Sequence, residues 1–356
     1  MSRFLNARYQ NLEVYTPGEQ PQDMVYTKLN TNESPYPAAP AVVAAIGRQE
    51  LENLRLYSDP ECKPLIRKLA QTYGVEPENV FVSNGSDDIL NFSFMAFSGQ
   101  PGKAVFPDIT YGFYQVFADL YDVEAVKIPL LEDFSIDYKQ YCGLDSMVVL
   151  ANPNAQVGRA LPLWQMEEII ASNPGHVVVV DEAYVDFGAE SCVPLIKKYP
   201  NLLVVQTFSK SRSMAGARLG FAIGSKELIG DLNRIKYSTN PYNINRLTMA
   251  AGVAALEDQD YYDANCQKII QARSYTAQAL TDLGFTVIPS QANFVFAAHP
   301  TYDGGRLYRD LKARGILVRH FTSERIQNFN RITIGTMEQM QLLVDTVKDL
   351  LGGNAG

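Results

Sequence analysis

Cysteine is scarce in this chain. The four present, Cys62, Cys142, Cys192 and Cys266, lie far apart and form no CxxC pair. The three histidines, His176, His299 and His320, are equally dispersed. Neither a zinc site nor a disulfide framework is expected, and the thiols read as free in a reducing compartment. Basic charge is in deficit as well: 31 Lys and Arg stand against 39 Asp and Glu, a net charge of -8. A nucleic-acid footprint needs a basic face, so nucleic acid is not expected as a partner. No apolar run approaches the roughly 20 residues of a membrane-spanning helix, so no membrane partner is expected. The N-terminal MSRFLNARYQNLEVY holds no unbroken apolar region of the kind a signal peptide needs. A cytoplasmic location is expected. No internal repeat or low-complexity linker is visible, and no G-x-G-x-x-G opens a helix after the first strand, which argues against a dinucleotide-binding dehydrogenase.

What remains is an ordinary globular composition, 46% hydrophobic and 20% charged. With 356 residues the chain is long enough for a large domain and a smaller one. Residues 1–40 are rich in Pro, Asn, Gln and Tyr and read as an extended arm. Strand patterns then fall at 80–83, 103–106, 124–128, 147–150, 177–180, 202–205 and 221–223. Several are continuous apolar runs, the mark of strands buried on both faces of a parallel sheet. Helical spacing is predicted over 41–54, 63–73 and 111–120, with another helix opening near Ser86. A long helix over 245–283, broken near 259–261, leads to short strands at 285–288, 294–296, 316–319 and 331–334. A helix over 305–314 interleaves with them, and a last helix starts at Thr336 with Gln339 completing a capping box. The expected fold is α/β: a large domain (41–245) with a mostly parallel seven-stranded sheet flanked by helices, a connecting helix with a small α+β C-terminal domain (246–356), and the N-terminal arm. A site is expected at the carboxyl ends of the strands.

Chemistry concentrates in five segments. In 202–220 an apolar strand empties into a small, hydroxyl-rich turn holding Thr207, Ser209 and Lys210, with Arg218 eight positions on. A lysine at a strand end can be an amine nucleophile toward a carbonyl, and the arginine with nearby hydroxyls suits a phosphate. In 177–187 a buried strand ends in Asp181, with Tyr184 three residues later. Asp181 reads either as a helix cap or as the carboxylate paired with a protonated ring nitrogen. In 80–88 a strand passes through Asn84-Gly85 into a helix whose free N–H groups form an anion site, with Gly85, Ser86 and Asp87 around it; a plain capped helix is the alternative. Tyr111, after a strand and a turn, can stack on a flat ring or sit in the core. In 150–158 Asn152 and Asn154 are turn residues, one of them able to reach a cofactor oxygen.

Together these segments resemble the fold-type I pyridoxal phosphate enzymes, specifically the class I and II aminotransferases. Lys210 and Arg218 have that family's K-x7-R spacing, and Asp181 precedes Lys210 by 29 residues. Within the family the chain is most similar to the histidinol-phosphate aminotransferases, through KLNTNESPYP (28–37), LYSDPECKPL (56–65), FSKSRSMAGARLGFAIG (208–224), PYNIN (241–245) and FNRITIGT (329–336). The resemblance implies pyridoxal 5'-phosphate held covalently by Lys210, which then acts as proton shuttle. It implies a phosphate bound by Gly85, Ser86, Asp87, Ser209 and Arg218, with Thr207 assisting. It implies Tyr111 stacked on the ring, Asp181 on its nitrogen and Tyr184 on its phenolic oxygen. Arg331 would grip a substrate's acidic group, with Arg319 as second cation and Tyr15 and Asn32 on the substrate side. Tyr57 would reach the cofactor phosphate of a partner subunit, which implies a homodimer. The implied reaction moves an amino group between the small molecules histidinol phosphate and 2-oxoglutarate. An aromatic amino acid aminotransferase and a threonine-phosphate decarboxylase share these residues and stand as alternatives. One departure matters: Pro153-Asn154-Ala155-Gln156-Val157-Gly158 stands where the family usually has P-N-N-P-T-G, or sometimes P-N-A-P-T-G. Ala155 takes the place of the asparagine that binds the phenolic oxygen. Either Asn154 turns in to replace it, or Tyr184 holds that oxygen alone.

Overall fold

The computed structural model of the protein describes residues 2–10 and 12–352. Its strands are β1 (Thr27–Leu29), β2 (Val80–Ser83), β3 (Lys103–Pro107), β4 (Glu124–Ile128), β5 (Met147–Ala151) and β6 (Val178–Asp181). They continue with β7 (Leu202–Thr207), β8 (Gly220–Gly224), β9 (Thr286–Ile288), β10 (Phe294–Ala298), β11 (Ile316–His320) and β12 (Asn330–Thr333). A seven-stranded sheet has the order β2-β8-β7-β6-β5-β3-β4. Only β8 runs against the rest, pairing antiparallel with both β2 and β7.

The reason for this layer is visible in the side chains. Every residue of β5, β6 and β7 is buried, as strands covered by helices on both faces must be. Because β2, β3, β5, β6 and β7 point the same way, their carboxyl ends deliver residues 84–87, 108–111, 152–155, 181–184 and 207–210 to one edge. Open α/β sheets bind their ligands at that edge. Gly220, the first residue of β8, sits there too, paired with Ser83 on one side and Thr207 on the other.

A second sheet has the order β1-β11-β12-β10-β9. The helix Gly304–Ala313 packs beside it, its N-terminus capped by the Asp303 carboxylate on the Arg306 N–H at 2.7 Å. The capping box at the last helix forms as its residues dictate: the Thr336 N–H donates to Gln339 Oε1 at 2.8 Å, and the Gln339 N–H to Thr336 Oγ1 at 3.3 Å. Arg246–Glu257 and Gln259–Asp282 replace the single long helix, interrupted at Asp258 where a break is expected.

Two readings need correction. The helix expected over 41–54 is split into Pro40–Ala45 and Arg48–Glu52, because Ile46 leaves helical geometry at ψ 41° ahead of Gly47. The stretch expected as a featureless arm supplies a strand: β1 joins β11 in parallel, Thr27 opposite Ile316 and Leu29 opposite Val318.

Gly220 ties the fold to the site. A Cβ on it would lie 2.4 Å from both Gly85 C and Ser86 N, which are backbone and cannot swing away. Gly220→Ala is therefore expected to lower the melting temperature, at a cost of about 1–3 kcal/mol for an overpacked position. It should also weaken binding of an anion at the Gly85–Ser86 turn, measured by isothermal titration with inorganic phosphate.

Candidate active site

At the Gly85–Ser86 turn, Gly85 has φ +87° and caps the helix Ser86–Phe97, leaving the first N–H groups of that helix free for an anion. A Cβ on Gly85 would come within 2.8 Å of Arg218 Nη2, so the guanidinium lies against the turn. Arg218 itself occupies the left-handed region at φ +53°. Its Nη2 donates to Asp87 Oδ2 at 2.9 Å, and Tyr111 Oη donates to Asp87 Oδ1 at 2.7 Å. Asp87 thus aims both side chains. Ser209 is fixed by its N–H donating to Thr207 Oγ1 at 3.1 Å, with the two hydroxyl oxygens 3.0 Å apart. Asn243 donates to Asp88 Oδ2 at 2.9 Å and to Ser83 Oγ at 2.7 Å, bracing the start of the helix.

Asp181 ends β6 and is buried. It accepts from Tyr114 Oη at 2.8 Å and from the Ala183 N–H at 3.2 Å. Burial outweighs these bonds and pushes its carboxyl up to about 6. Tyr184 is held edge-on to Phe294, with centroids 5.3 Å apart, and its Oη accepts from Asn32 Nδ2 at 3.0 Å. Lys210 Nζ donates to the Thr31 carbonyl at 3.2 Å. Burial and then the charge of Arg331 push its amine down to about 8, which makes the neutral, nucleophilic form accessible near neutral pH.

Two cavities meet at Lys210. One, of ≈170 Å³, is lined by Ser86, Asp87, Asp181, Thr207, Ser209 and Arg218 among others. The other, of ≈400 Å³, is lined by Tyr15, Asn32, Gln156, Arg319, Phe321 and Arg331 among others. Tyr111, Ala155, Tyr184 and Lys210 line both. A larger depression of ≈760 Å³ lies elsewhere, among Glu61, Lys63, Glu78 and Lys226, but these exposed charges pair with one another and carry no chemistry.

Arg331 is the most telling group of the second cavity. Its Nη1 donates to the Ala155 carbonyl at 2.8 Å and more loosely to Gln156 Oε1 at 3.4 Å, while Nη2 reaches the Asn30 carbonyl at 3.5 Å. Its Nε is buried with no hydrogen-bond partner among the described residues. A buried guanidinium facing only neutral oxygens is an incomplete anion site. Arg319 spends its guanidinium on the carbonyls of Thr16 at 3.0 Å and Pro17 at 3.1 Å, latching the arm beside the cavity. Tyr15, next in the arm, stacks on Phe113 at 4.2 Å.

Two expected site residues stand apart. Asn154 does not turn in: its Nδ2 donates to the Ile109 carbonyl at 2.9 Å, and its Oδ1 accepts from the N–H groups of Gln156 and Val157 at 2.9 and 3.1 Å. The amide is consumed in holding its own turn. Tyr57 is 80% exposed, stacks on Tyr242 at 4.6 Å and lines neither cavity of its own chain. Conversely, Tyr114, Asn243, Thr31 and Thr333 act in the site unannounced. Tyr114 carried a signal, three residues after Tyr111 in the stretch 111–120 expected as helical; the other three lie in the motifs KLNTNESPYP, PYNIN and FNRITIGT, which gave them no role of their own.

The residues present fit pyridoxal phosphate. A buried carboxylate, a nucleophilic lysine and the arginine and serines of an anion cradle line one small cavity, and the carboxylate forms no ion pair among the described residues. Fold and site together define a fold-type I pyridoxal phosphate enzyme. The family model for aminotransferase class I and II matches residues 25–347, and the chain belongs to that family. It is 50% identical over 352 residues to the histidinol-phosphate aminotransferase of Brachyspira hyodysenteriae, covering 99% of each chain. It is 50% identical over 353 residues to that of a Marinomonas species, covering 98% of this chain and 100% of the other. Among solved structures, the histidinol-phosphate aminotransferase of Sinorhizobium meliloti in complex with pyridoxal-5'-phosphate superposes with a TM-score of 0.85. It shares 24% identity and covers 98% of this chain and 99% of its own.

Asp181 generates a test. Its folded-state pKa of about 6 lies above the ordinary 3.8, so the fold carries no penalty below pH ~4 and the full penalty above pH ~6. That penalty is on the order of 3 kcal/mol. Asp181→Asn is expected to raise the melting temperature of the cofactor-free protein at pH 8, to raise it far less at pH 4.5, and to weaken cofactor binding. Calorimetry at both pH values checks this; an equal shift at both would refute the charge-burial account.

Proposed function

We propose that this chain is a histidinol-phosphate aminotransferase of histidine biosynthesis, moving an amino group between histidinol phosphate and 2-oxoglutarate in two half-reactions. The observation that carries the reading is the meeting of the two cavities at Lys210. A cofactor-sized anion site lies on one side of its amine, and the incomplete anion site of Arg331 lies on the other. The names of relatives that are half identical over the whole chain support the choice of substrate.

Pyridoxal phosphate, when bound, supplies an aldehyde that takes up the amino group and a ring that accepts electrons from the substrate's α-carbon. Lys210 would hold it covalently through its side-chain nitrogen, burial favouring the neutral amine that can condense with an aldehyde. Arg218, the hydroxyls of Ser86 and Ser209, and the N–H groups at the start of the helix Ser86–Phe97 bind its phosphate, with Thr207 orienting Ser209. Asp181 keeps its ring nitrogen protonated, an ion pair that offsets the cost of burying the carboxylate. Tyr111 covers the ring face, and Tyr184 donates to the phenolic oxygen. With its amine set free by the incoming amine, Lys210 would be placed to take a proton from the substrate's α-carbon as general base and to give it back as general acid. Arg331 accepts the phosphate of one substrate or a carboxylate of the other, both of which match its planar fork. Tyr15 and the arm latched by Arg319 shield that end from water.

We also place the enzyme in the cytoplasm as a homodimer. No helix among the described residues is long and apolar enough to cross a membrane. The exposure of Tyr57, together with Tyr242, leaves it available to a second copy's phosphate site.

Purified protein loaded with pyridoxal phosphate is expected to show a visible band sensitive to borohydride. Lys210→Ala should lack it. Histidinol phosphate should bleach the band far more effectively than phenylalanine or threonine phosphate; bleaching by another of these amines alone would overturn the substrate. Arg331→Gln should lower kcat/KM by about 100-fold or more, as expected for loss of a charged, bidentate contact of about 3 kcal/mol. For the dimer, mixing Tyr57→Ala with Lys210→Ala protomers should restore activity, because the hybrid keeps one complete site. No recovery after subunit exchange would place Tyr57 outside the site.

A further inference from the structure

Ala155 lines both cavities and brings no side-chain donor to either, and Asn154 is turned away into its own loop. Tyr184 is nonetheless not alone. Asn32 lies between β1 and the helix Pro40–Ala45 and holds a left-handed backbone at φ +56°. All four of its polar groups are used. Its N–H donates to Thr333 Oγ1 at 3.0 Å, and its carbonyl accepts from Asn293 Nδ2 at 3.0 Å. Its Oδ1 accepts from Thr333 Oγ1 at 2.9 Å, and its Nδ2 donates to Tyr184 Oη at 3.0 Å.

The orientation of this amide follows from the network. Thr333 Oγ1 accepts the Asn32 N–H, and the Asn32 side chain is its one other partner among the described residues; the hydroxyl hydrogen is satisfied when the amide presents its oxygen there. The amide nitrogen then faces Tyr184 and can only donate. Tyr184 Oη, acting as acceptor, keeps its own hydrogen, and no acceptor among the described residues takes it. The remaining direction is the cavity shared with Lys210.

We infer that Asn32 is a positioning residue for the reaction: by donating to Tyr184 it fixes the phenol as a donor into the ring cavity, supplying from the N-terminal arm the amide that position 155 lacks. This rests on the cofactor reading above and concerns how the phenolic oxygen of the bound ring is held. A phenol that accepts one hydrogen bond donates a stronger one, so the pair acts cooperatively. Thr333 and Arg331 share one face of β12, so the strand that presents the substrate's anion site also sets the amide.

The test is a pH titration of the visible absorbance of the loaded protein. A hydrogen bond to an ionised phenolic oxygen favours that form, so losing it raises the midpoint by about half a unit to one unit. Asn32→Gly retains the left-handed backbone and both main-chain bonds while deleting the amide. It is expected to raise the midpoint, Tyr184→Phe to raise it further, and the double variant to equal Tyr184→Phe. The melting temperature of each cofactor-free variant checks the fold. Should Asn32→Gly not fold, Thr333→Val, which frees the amide to rotate, is expected to move the midpoint in the same direction. An unmoved midpoint, or an Asn32→Gly shift that persists undiminished in the Tyr184→Phe background, overturns the inference. Absence of the band from the wild-type protein would instead overturn the cofactor reading itself.

Discussion

Lys210 and Arg331 face one another inside a protein whose net charge is -8, and neither forms an ion pair among the described residues. Their partners are backbone carbonyls, Thr31 for the lysine and Ala155 and Asn30 for the arginine. A carboxylate in their place would quiet both charges and leave neither available for chemistry. Neutral carbonyls keep the arginine hungry for an anion while burial, and then the arginine's field, hold the lysine's amine low. Much of the surrounding structure follows from that arrangement. The arm must run close enough to offer Asn30 and Thr31, β12 must present Arg331 inward, and the loop after β5 must turn so that the Ala155 carbonyl points at the guanidinium.

The second charge problem is solved in the opposite manner. Asp181 is buried with a phenol and an amide N–H, which soften its burial without neutralising it. Among the described residues the site therefore holds an unpaired anion, Asp181, at one end and an unpaired cation, Arg331, at the other, with the lysine between. Such a cavity is costly for the empty protein and complementary to a protonated ring at one end and a substrate's anion at the other.

The sheet was legible because its strands are governed by one term. Residues 147–150 and 202–205 are apolar throughout, and burial on both faces permits nothing else. Lys210, Asp181 and Arg218 were legible because their chemistry is tied to strand ends at fixed spacing. What escaped was decided by contacts between distant segments. β1 has three residues, Thr-Lys-Leu, too few to show a period, and it exists only because β11 offers an edge. The role of Asn32 depends on Thr333, 301 positions away. Asn154 stayed open between cofactor and turn because a turn asparagine has two uses for its amide, and the N–H groups of Gln156 and Val157 take it for the turn.

The pairing of Thr27–Leu29 with 316–318 has a consequence for how the enzyme comes into being. The arm is made nearly three hundred residues before its hydrogen-bonding partner, so its strand stays unpaired until β11 has been synthesised. Cofactor capture on that sheet can begin before the chain is finished, since its phosphate turn, carboxylate and lysine all lie between residues 85 and 218. The Thr31 carbonyl on Lys210, the Asn30 carbonyl on Arg331 and the Asn32 amide on Tyr184 take their places only when β11 and β12 have been made. The site is thus closed by two segments far apart in the chain, a pairing of high sequence separation that forms after the local ones.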